Sequence, residues 1–351
     1  MHGQHYSIQF GRALAASIVV LAHIGAVTND IGLQLDGWLP FSTGVDLFFV
    51  ISGYIITLVL QRPIGAIDFL KRRALRILPF LAFFTFVWVA MLAVSGKPLP
   101  SVINLLFSLL SLPQQGYPVL GVGWSLEHEV IFYAVATVLL VCERKDLFLP
   151  VMVGISAVSV AAHLFLPIEF LQNDFHLLSL YHVEFLAGLV LFRAKGRLTI
   201  ISWQITFLIG IVGFVSASLL VQYFYGGHIP TQPFGALGIF RVFILAVTSS
   251  ILLTSFLAME ENYPEMPRIG KLPHAIGNAS YGLYLSHPIV FAATGPILAI
   301  VWPATISAWF TVPLAFAMSI LFALIWYRWA EAPILAYLQG IKPRVKTQSA
   351  S

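Results

Sequence analysis

The chain has 351 residues, of which 59% are hydrophobic and only 10% are charged. Soluble domains carry about 25% charged residues, so the composition excludes an ordinary soluble domain and indicates a polytopic membrane protein. The single cysteine, Cys142, excludes an intramolecular disulfide and disfavours a thiolate zinc site.

Ten apolar segments are predicted to cross the membrane, and together they form one transmembrane domain over residues 1–351. Each segment is close to the ~20 residues that a helix needs to span a bilayer. The predicted fold is therefore all-α, a polytopic integral membrane bundle of about ten transmembrane helices. The predicted spans cover residues 8–28, 44–61, 77–95, 124–141, 147–166, 179–194, 200–222, 236–258, 276–300 and 306–328.

The first span contains the sequence GRALAASIVVLAHIG, residues 11–25, in which Arg12 and His23 interrupt an apolar run. His23 lies eleven positions after Arg12, which is about 16 Å along a helix. His287 lies equally deep in the ninth span, and Glu127 and Glu129 lie in the half of the fourth span that shares this depth. Polar groups at membrane depth usually face the protein interior with a partner. His23 and Glu129 are therefore candidate functional residues, although each could instead make only a structural contact between helices.

Asp46 begins the second predicted span, and a side-chain oxygen at that position typically caps a helix. His182 and Glu184 begin the sixth span, where both could lie at the membrane interface. The other histidines show no spacing that indicates a metal site, so none is predicted. Close helix packing is the expected role of four glycines: Gly53, Gly188, Gly277 and Gly282.

The segment DFLKRRALRILP, residues 68–79, is predicted to be a basic inner loop. Arg73 and Arg76 are three residues apart, so they share one face if the segment is helical. Arg72 and Lys71 add further charge beside them. The cluster could be only a topology signal, or its guanidinium groups could hold a phosphate bidentately.

The segment 101–113, SVINLLFSLLSLP, is apolar but too short to cross the membrane. It is predicted to be a re-entrant or interfacial helix that ends at Pro113. Counting it as a full span would reverse the side of every later loop.

The basic residues support this topology. With this topology, 17 of the 19 Lys and Arg residues fall on the cytoplasmic side, and the two exceptions are Lys97 and Arg241. The positive-inside rule predicts such a bias, with both termini cytoplasmic. The net charge of +4 therefore reflects topology and leaves room for an anion site, and no nucleic-acid partner is expected.

Six motifs, in order along nearly the whole chain, resemble the membrane-bound acyltransferase family 3. Arg12 precedes His23 by the spacing that the family uses. The other motifs are GVDLFFVISGYII (44–56), FLKRRALRILP (69–79), GWSLEHEVIFY (123–133), IGNASYGLYLSHP (276–288) and YRWAEAP (327–333). The resemblance is closest to members that modify exopolysaccharides or O-antigens.

The resemblance implies a cytoplasmic acyl-CoA donor, commonly acetyl-CoA, and no metal. The acceptor would be a hydroxyl of a carbohydrate or lipid-linked glycan, and the location a bacterial inner membrane. Carried over by motif, the catalytic residues would be His23, Glu129 and Arg12, with Arg73 and Arg76 holding the donor. Arg72 is added to the donor-binding residues because it adjoins them. A hydroxyl needs a base with a near-neutral pKa, which suits histidine, and Glu129 could orient the His23 ring.

Two other functions remain open from the sequence. The same chemistry could act on a small secreted metabolite. Alternatively, the intramembrane histidines and carboxylates could serve a proton-coupled transporter. Inverted halves or paired broken helices would favour a transporter, and the sequence shows no clear pair.

Overall fold

The structure, a computed structural model, describes residues 5–25, 43–174, 176–194, 202–227, 229–301 and 308–340. These residues form helices and turns without a β-strand, so the predicted all-α class is confirmed. The helices are α1 (Tyr6–Ala22), α2 (Gly44–Leu60), α3 (Ala66–Val94), α4 (Val102–Leu110), α5 (Trp124–Val141), α6 (Phe148–Phe165), α7 (Ile168–Gln172), α8 (His182–Ala194), α9 (Trp203–Phe224), α10 (Gly235–Asn262), α11 (Lys271–Asn278), α12 (Ser280–Val301), α13 (Ala308–Trp326) and α14 (Ala332–Leu338).

Six of the described helical segments are long and apolar enough to cross a membrane. They are Ala66–Val94, Gly121–Val141, Lys145–Phe165, Trp203–Phe224, Gly235–Asn262 and Phe310–Leu338. The helices α1 and α2 are also apolar but have 17 residues each. The predicted first span continues to residue 28, and its last residues lie outside the described part of the chain. The count of ten spans therefore stays a prediction.

The short helix α4 does not cross the bundle. The helices on either side of it, α3 and α5, pack antiparallel: Phe69 lies against Tyr133, with ring centroids 6.1 Å apart, and at the other end Leu81 lies beside Gly123. Nine residues of helix reach only about 13 Å, well short of a bilayer. The chain therefore enters and leaves this segment on the same side of the bundle, as its length predicts.

The basic segment that was predicted to be a loop is helical instead. The helix α3 begins at Ala66 and continues through Pro79 to Val94, so the arginines occupy its first three turns. Proline removes one backbone hydrogen bond from a helix interior, but apolar residues that favour a helix flank it on both sides. The consequence is that Arg73 and Arg76 do share one helix face.

Glycine packing holds α2 against α8. A Cβ atom at Gly53 would lie 2.1 Å from the backbone oxygen of Phe185, and one at Gly188 would lie 1.9 Å from that of Val50. Only glycine permits such an approach of two backbones. Approaches under 3.0 Å also occur at the other two glycines predicted to permit packing, Gly277 and Gly282.

At the centre of the bundle, α2 and α10 contact each other and each contacts α1 and α8. Around them, α12 packs on α1, α5 packs on α2, and α3 packs on α5 and α12. We call the end of the bundle where α1, α3 and α12 begin the basic end, since Arg12, Arg73 and Arg76 lie there. The candidate site lies in the space between these helices.

Candidate active site

A cavity of about 760 Å³ lies between α1, α2, α3, α5 and α12. Four of the residues predicted to be functional line it together, although they come from three separate helices: Arg12, Arg73, Arg76 and Glu129.

Aromatic rings hold Arg73 at the wall of this cavity. Its guanidinium carbon lies 5.6 Å from the centroid of the Phe69 ring and 5.7 Å from that of Tyr133. Cations are attracted to aromatic faces at such distances. The Nε atom of Arg73 is buried and has no hydrogen-bond partner within the described residues, which leaves a donor available to a ligand.

Glu129 lies at the basic end of the cavity and not beside His23. Its carboxylate accepts hydrogen bonds from Tyr133 Oη at 2.5 Å and from Ser52 Oγ at 3.1 Å. It is also close enough to Arg12 to interact electrostatically. The hypothesis that Glu129 orients the His23 ring is therefore wrong. Gly11 packs against Ile51, so Ser52 and Glu129 lie at the level of Arg12, about 16 Å below His23.

Glu331 is a site residue that the sequence analysis missed. It is 3% exposed and lies in a turn of π-helix, Tyr327–Glu331, that follows α13. Its carboxylate interacts electrostatically with Arg12 and Arg76. A Cβ atom at Gly282 would lie 2.8 Å from Glu331 Oε2, so the glycine makes room for this carboxylate. Glu331 belongs to the motif YRWAEAP, so the sequence did contain a pattern that could have identified it.

Charge in this region is unbalanced. Arg12, Arg73 and Arg76 carry three positive charges, whereas the two carboxylates beside them, Glu129 and Glu331, carry at most two negative ones. The cavity therefore keeps an excess of positive charge together with open space. This combination is suited to an anionic ligand, and guanidinium groups bind phosphates in particular.

His23 lies at the C-terminal end of α1, exposed, outside the lining of the cavity. Its Nδ1–H donates a hydrogen bond to the Val19 carbonyl at 2.9 Å. A carbonyl can only accept, so Nδ1 carries the proton and Nε2 keeps its lone pair. The ring contacts that of His287, with centroids 4.9 Å apart. Among the described residues, the side chain that the His23 ring packs against is therefore a second histidine and not a carboxylate.

His287 connects this pair to the cavity. Its side chain is fully buried, and its Nδ1–H donates to the Leu283 carbonyl at 3.2 Å. The Tyr284 ring, which lines the cavity, lies 6.2 Å from the His287 ring. Tyr284 is fixed by donating to the Val122 carbonyl at 2.5 Å and by a 2.7 Å hydrogen bond with Ser125. The cavity therefore ends about one helical turn from the two histidines.

Arg72, the third arginine predicted to hold the donor, does not line this cavity. Arg72 and Lys71 are both exposed, whereas Arg73 and Arg76 are partly buried. The helical geometry explains the difference, since α3 turns Arg72 about 100° away from Arg73.

Two predictions about buried polar residues are wrong. Asp46 does not cap α2: its Oδ2 atom accepts a hydrogen bond from Arg241 Nη2 at 3.2 Å, and both side chains are buried. His182 and Glu184 are not interfacial, because they are 2% and 0% exposed. In both cases the side chains are buried by helices that are distant in the sequence: Asp46 pairs with Arg241 of α10, and α8, which carries His182 and Glu184, packs against α2 and α10. Within the described residues, no group of three His, Cys, Asp or Glu side chains could hold a metal ion.

Comparison with known proteins identifies the family of the chain. A family profile described as an acyltransferase domain, Acyl_transf_3, matches residues 5–328. The chain belongs to the acyltransferase 3 family. It is also 32% identical, over 286 residues, to the exopolysaccharide production protein ExoZ of Rhizobium meliloti (strain 1021). The match covers 76% of this chain and 83% of that protein. No solved structure matches the chain significantly. An acyltransferase with these apolar helices is an integral membrane protein.

Proposed function

We propose that the protein transfers an acyl group, most simply acetyl, from acyl-CoA to a hydroxyl of a cell-surface or exported glycan. The observation that carries this proposal is the cavity in which Arg12, Arg73 and Arg76 meet, and which ends beside the His23–His287 pair. The similarity to ExoZ, whose name refers to exopolysaccharide production, supports a glycan acceptor over a small metabolite.

The shape of the cavity suits a long donor that is charged at one end. The residues of α2 that line it run from Ile56 to Val45, which is about 16 Å along the helix. Phosphates would bind the guanidinium groups at the basic end, on the cytoplasmic side. The slender pantetheine arm would pass along α2, and the thioester would reach the level of Tyr284, close to the histidines.

The chemistry follows from the tautomer of His23. Its Nε2 lone pair takes the proton from the acceptor hydroxyl as the oxygen attacks the thioester carbon. The tetrahedral intermediate then collapses, the carbon–sulfur bond breaks, and the CoA thiolate takes the proton back from the imidazolium. The products are an ester and free CoA, with no net proton released. His287 lies against the ring that becomes charged in this sequence.

A second route uses the same residue as a nucleophile. In that case His23 carries the acyl group before the acceptor takes it. Donor labelled in its acyl group, supplied without acceptor, would leave label on the protein by this route and none by direct transfer.

The experiment that tests the function uses membranes that contain the protein and acetyl-CoA labelled in the acetyl group. We expect label in a glycan fraction as an ester that mild base releases. Membranes with the His23→Ala variant serve as the matched control and should transfer none above background. Equal labelling in both membranes, or no labelling by the wild-type protein across candidate glycans, would contradict the proposal.

A further inference from the structure

A second cavity lies at the basic end of the bundle, between the last turn of α2 and the first two turns of α3. Its volume is about 770 Å³, and its polar lining comes from Arg62, Asp68, Arg72 and Arg73. Neither Arg62 nor Arg72 lines the deeper cavity. Both are exposed, so this second cavity is shallow and reachable from solution.

Arg73 joins the two cavities, because it lines both of them. Its guanidinium group lies over the rings of Phe69, which lines the shallow cavity, and Tyr133, which lines the deep one. A ligand that bound both cavities would therefore pass Arg73 on the way. On one side of Arg73, the deep cavity contains Arg76 and Arg12. On the other side, the shallow cavity contains Arg72 and Arg62.

The number of arginines exceeds what one phosphate group needs. One guanidinium fork can hold one phosphate through two parallel hydrogen bonds. The phosphates of CoA form two separate groups, a pyrophosphate in the chain and a phosphate monoester on the ribose. Two arginine groups on either side of Arg73 match this pattern.

We infer that the shallow cavity is the subsite for the ribose phosphate of the donor nucleotide, held by Arg62 and Arg72. This inference rests on the proposed use of acyl-CoA. Arg73 and Arg76 hold the pyrophosphate at the entrance of the deep cavity. Asp68, four residues before Arg72 on α3, supplies an acceptor for a hydroxyl or amino group of the nucleotide.

The test compares two donors that differ only in this phosphate, acetyl-CoA and acetyl-3′-dephospho-CoA. For the wild-type protein in nanodiscs of neutral lipid, we expect the KM for the dephospho donor to be about 10-fold higher, the loss that follows removal of one charge-assisted hydrogen bond. Arg62→Gln and Arg72→Gln should each raise the KM for acetyl-CoA toward that value. The KM for the dephospho donor should change less than about twofold.

Lys71→Gln is the matched control, because Lys71 is also exposed and is adjacent to Arg72 but lines neither cavity. It should leave the ratio of the two KM values unchanged. Binding of free CoA and of dephospho-CoA, measured by titration calorimetry, should show the same differences in Kd. Turnover with the dephospho donor verifies that each variant is folded.

Several results would overturn the inference. One is an equal rise in KM for both donors in the Arg62→Gln variant, and another is a wild-type protein that does not distinguish them. A third is an activation by anionic lipid that Arg62→Gln abolishes with either donor, since that would assign the cavity to a lipid headgroup. Failure of the wild-type protein to bind or use either donor would remove the proposed function, and this subsite with it.

Discussion

Two regions of this protein bury arginine beside carboxylate, and they differ in what surrounds the charges. Arg241 is 1% exposed, pairs with Asp46, donates to the Pro230 carbonyl at 2.6 Å and lies over the Tyr181 ring. Protein groups surround its guanidinium on all these sides. At the basic end, in contrast, Arg12, Arg73 and Arg76 outnumber their carboxylates and face open space.

The difference shows how to separate structural from functional arginines in a membrane domain. Burying a charge costs free energy that a fixed partner must offset, and the Asp46–Arg241 pair provides that partner while it links α2 to α10. An excess of charge beside a cavity is left for a ligand to neutralise. Exposure follows the same distinction, because Arg241 is fully buried whereas Arg12, Arg73 and Arg76 are only partly buried.

The largest effect is expected at the paired site. Arg241→Met should destabilise the protein by about 3–5 kcal/mol, since it leaves Asp46 buried without its partner. Arg76→Met, the matched change in the other region, should cost much less stability. Thermal unfolding in one detergent would measure both variants. A lower melting temperature for Arg76→Met than for Arg241→Met would break the comparison.

A smaller effect, on binding, is expected at the basic end. Arg73→Ala or Arg76→Ala should raise the donor KM about 10- to 150-fold, because each removes a charge-assisted hydrogen bond worth about 1.5–3 kcal/mol. Arg193→Ala, a basic residue on α8 that does not line the cavity, is the control. Kinetics with varied acetyl-CoA at fixed acceptor would measure the change. Normal KM values in both variants would reduce these arginines to topology signals.

The smallest effect is expected from Glu331, which acts on the ligand only through arginine. Glu331→Ala should raise the donor KM by about 2- to 10-fold, because Arg12 and Arg76 lose a fixed partner. Glu331→Gln keeps the size and one acceptor oxygen, so it should restore part of the loss. A Glu331→Ala variant with unchanged KM but a lower melting temperature would show that the carboxylate is only structural.

The sequence predicted the features that depend on local pattern. The bounds of α2 and α5 agree with the predicted spans to within one residue, and the short α4 follows from the length of its apolar run. The motifs contained Arg12, Arg73, Arg76 and Glu129, and the structure places all four in the lining of one cavity, whereas His23, the predicted catalytic partner of Glu129, lies outside that lining.

The features that depend on long-range packing were not predictable in this way. Asp46 and Arg241 are 195 residues apart, and nothing near either residue identifies the other. The same limit explains Glu331, which packs against Gly282 although the two residues are far apart in the sequence. Depth along the helices placed Glu129 too close to His23, since a span gives the level of a side chain only to within several residues.

The most direct test of the account separates binding from chemistry. The Kd for acetyl-CoA and the single-turnover rate of transfer should be measured for His23→Ala and for Arg76→Ala in the same nanodiscs. We predict that His23→Ala binds the donor normally and transfers about 10²- to 10⁴-fold more slowly, the usual loss for a positioned base. Arg76→Ala should bind weakly and transfer at nearly the normal rate once saturated. Wild-type turnover by a folded His23→Ala variant would contradict the account.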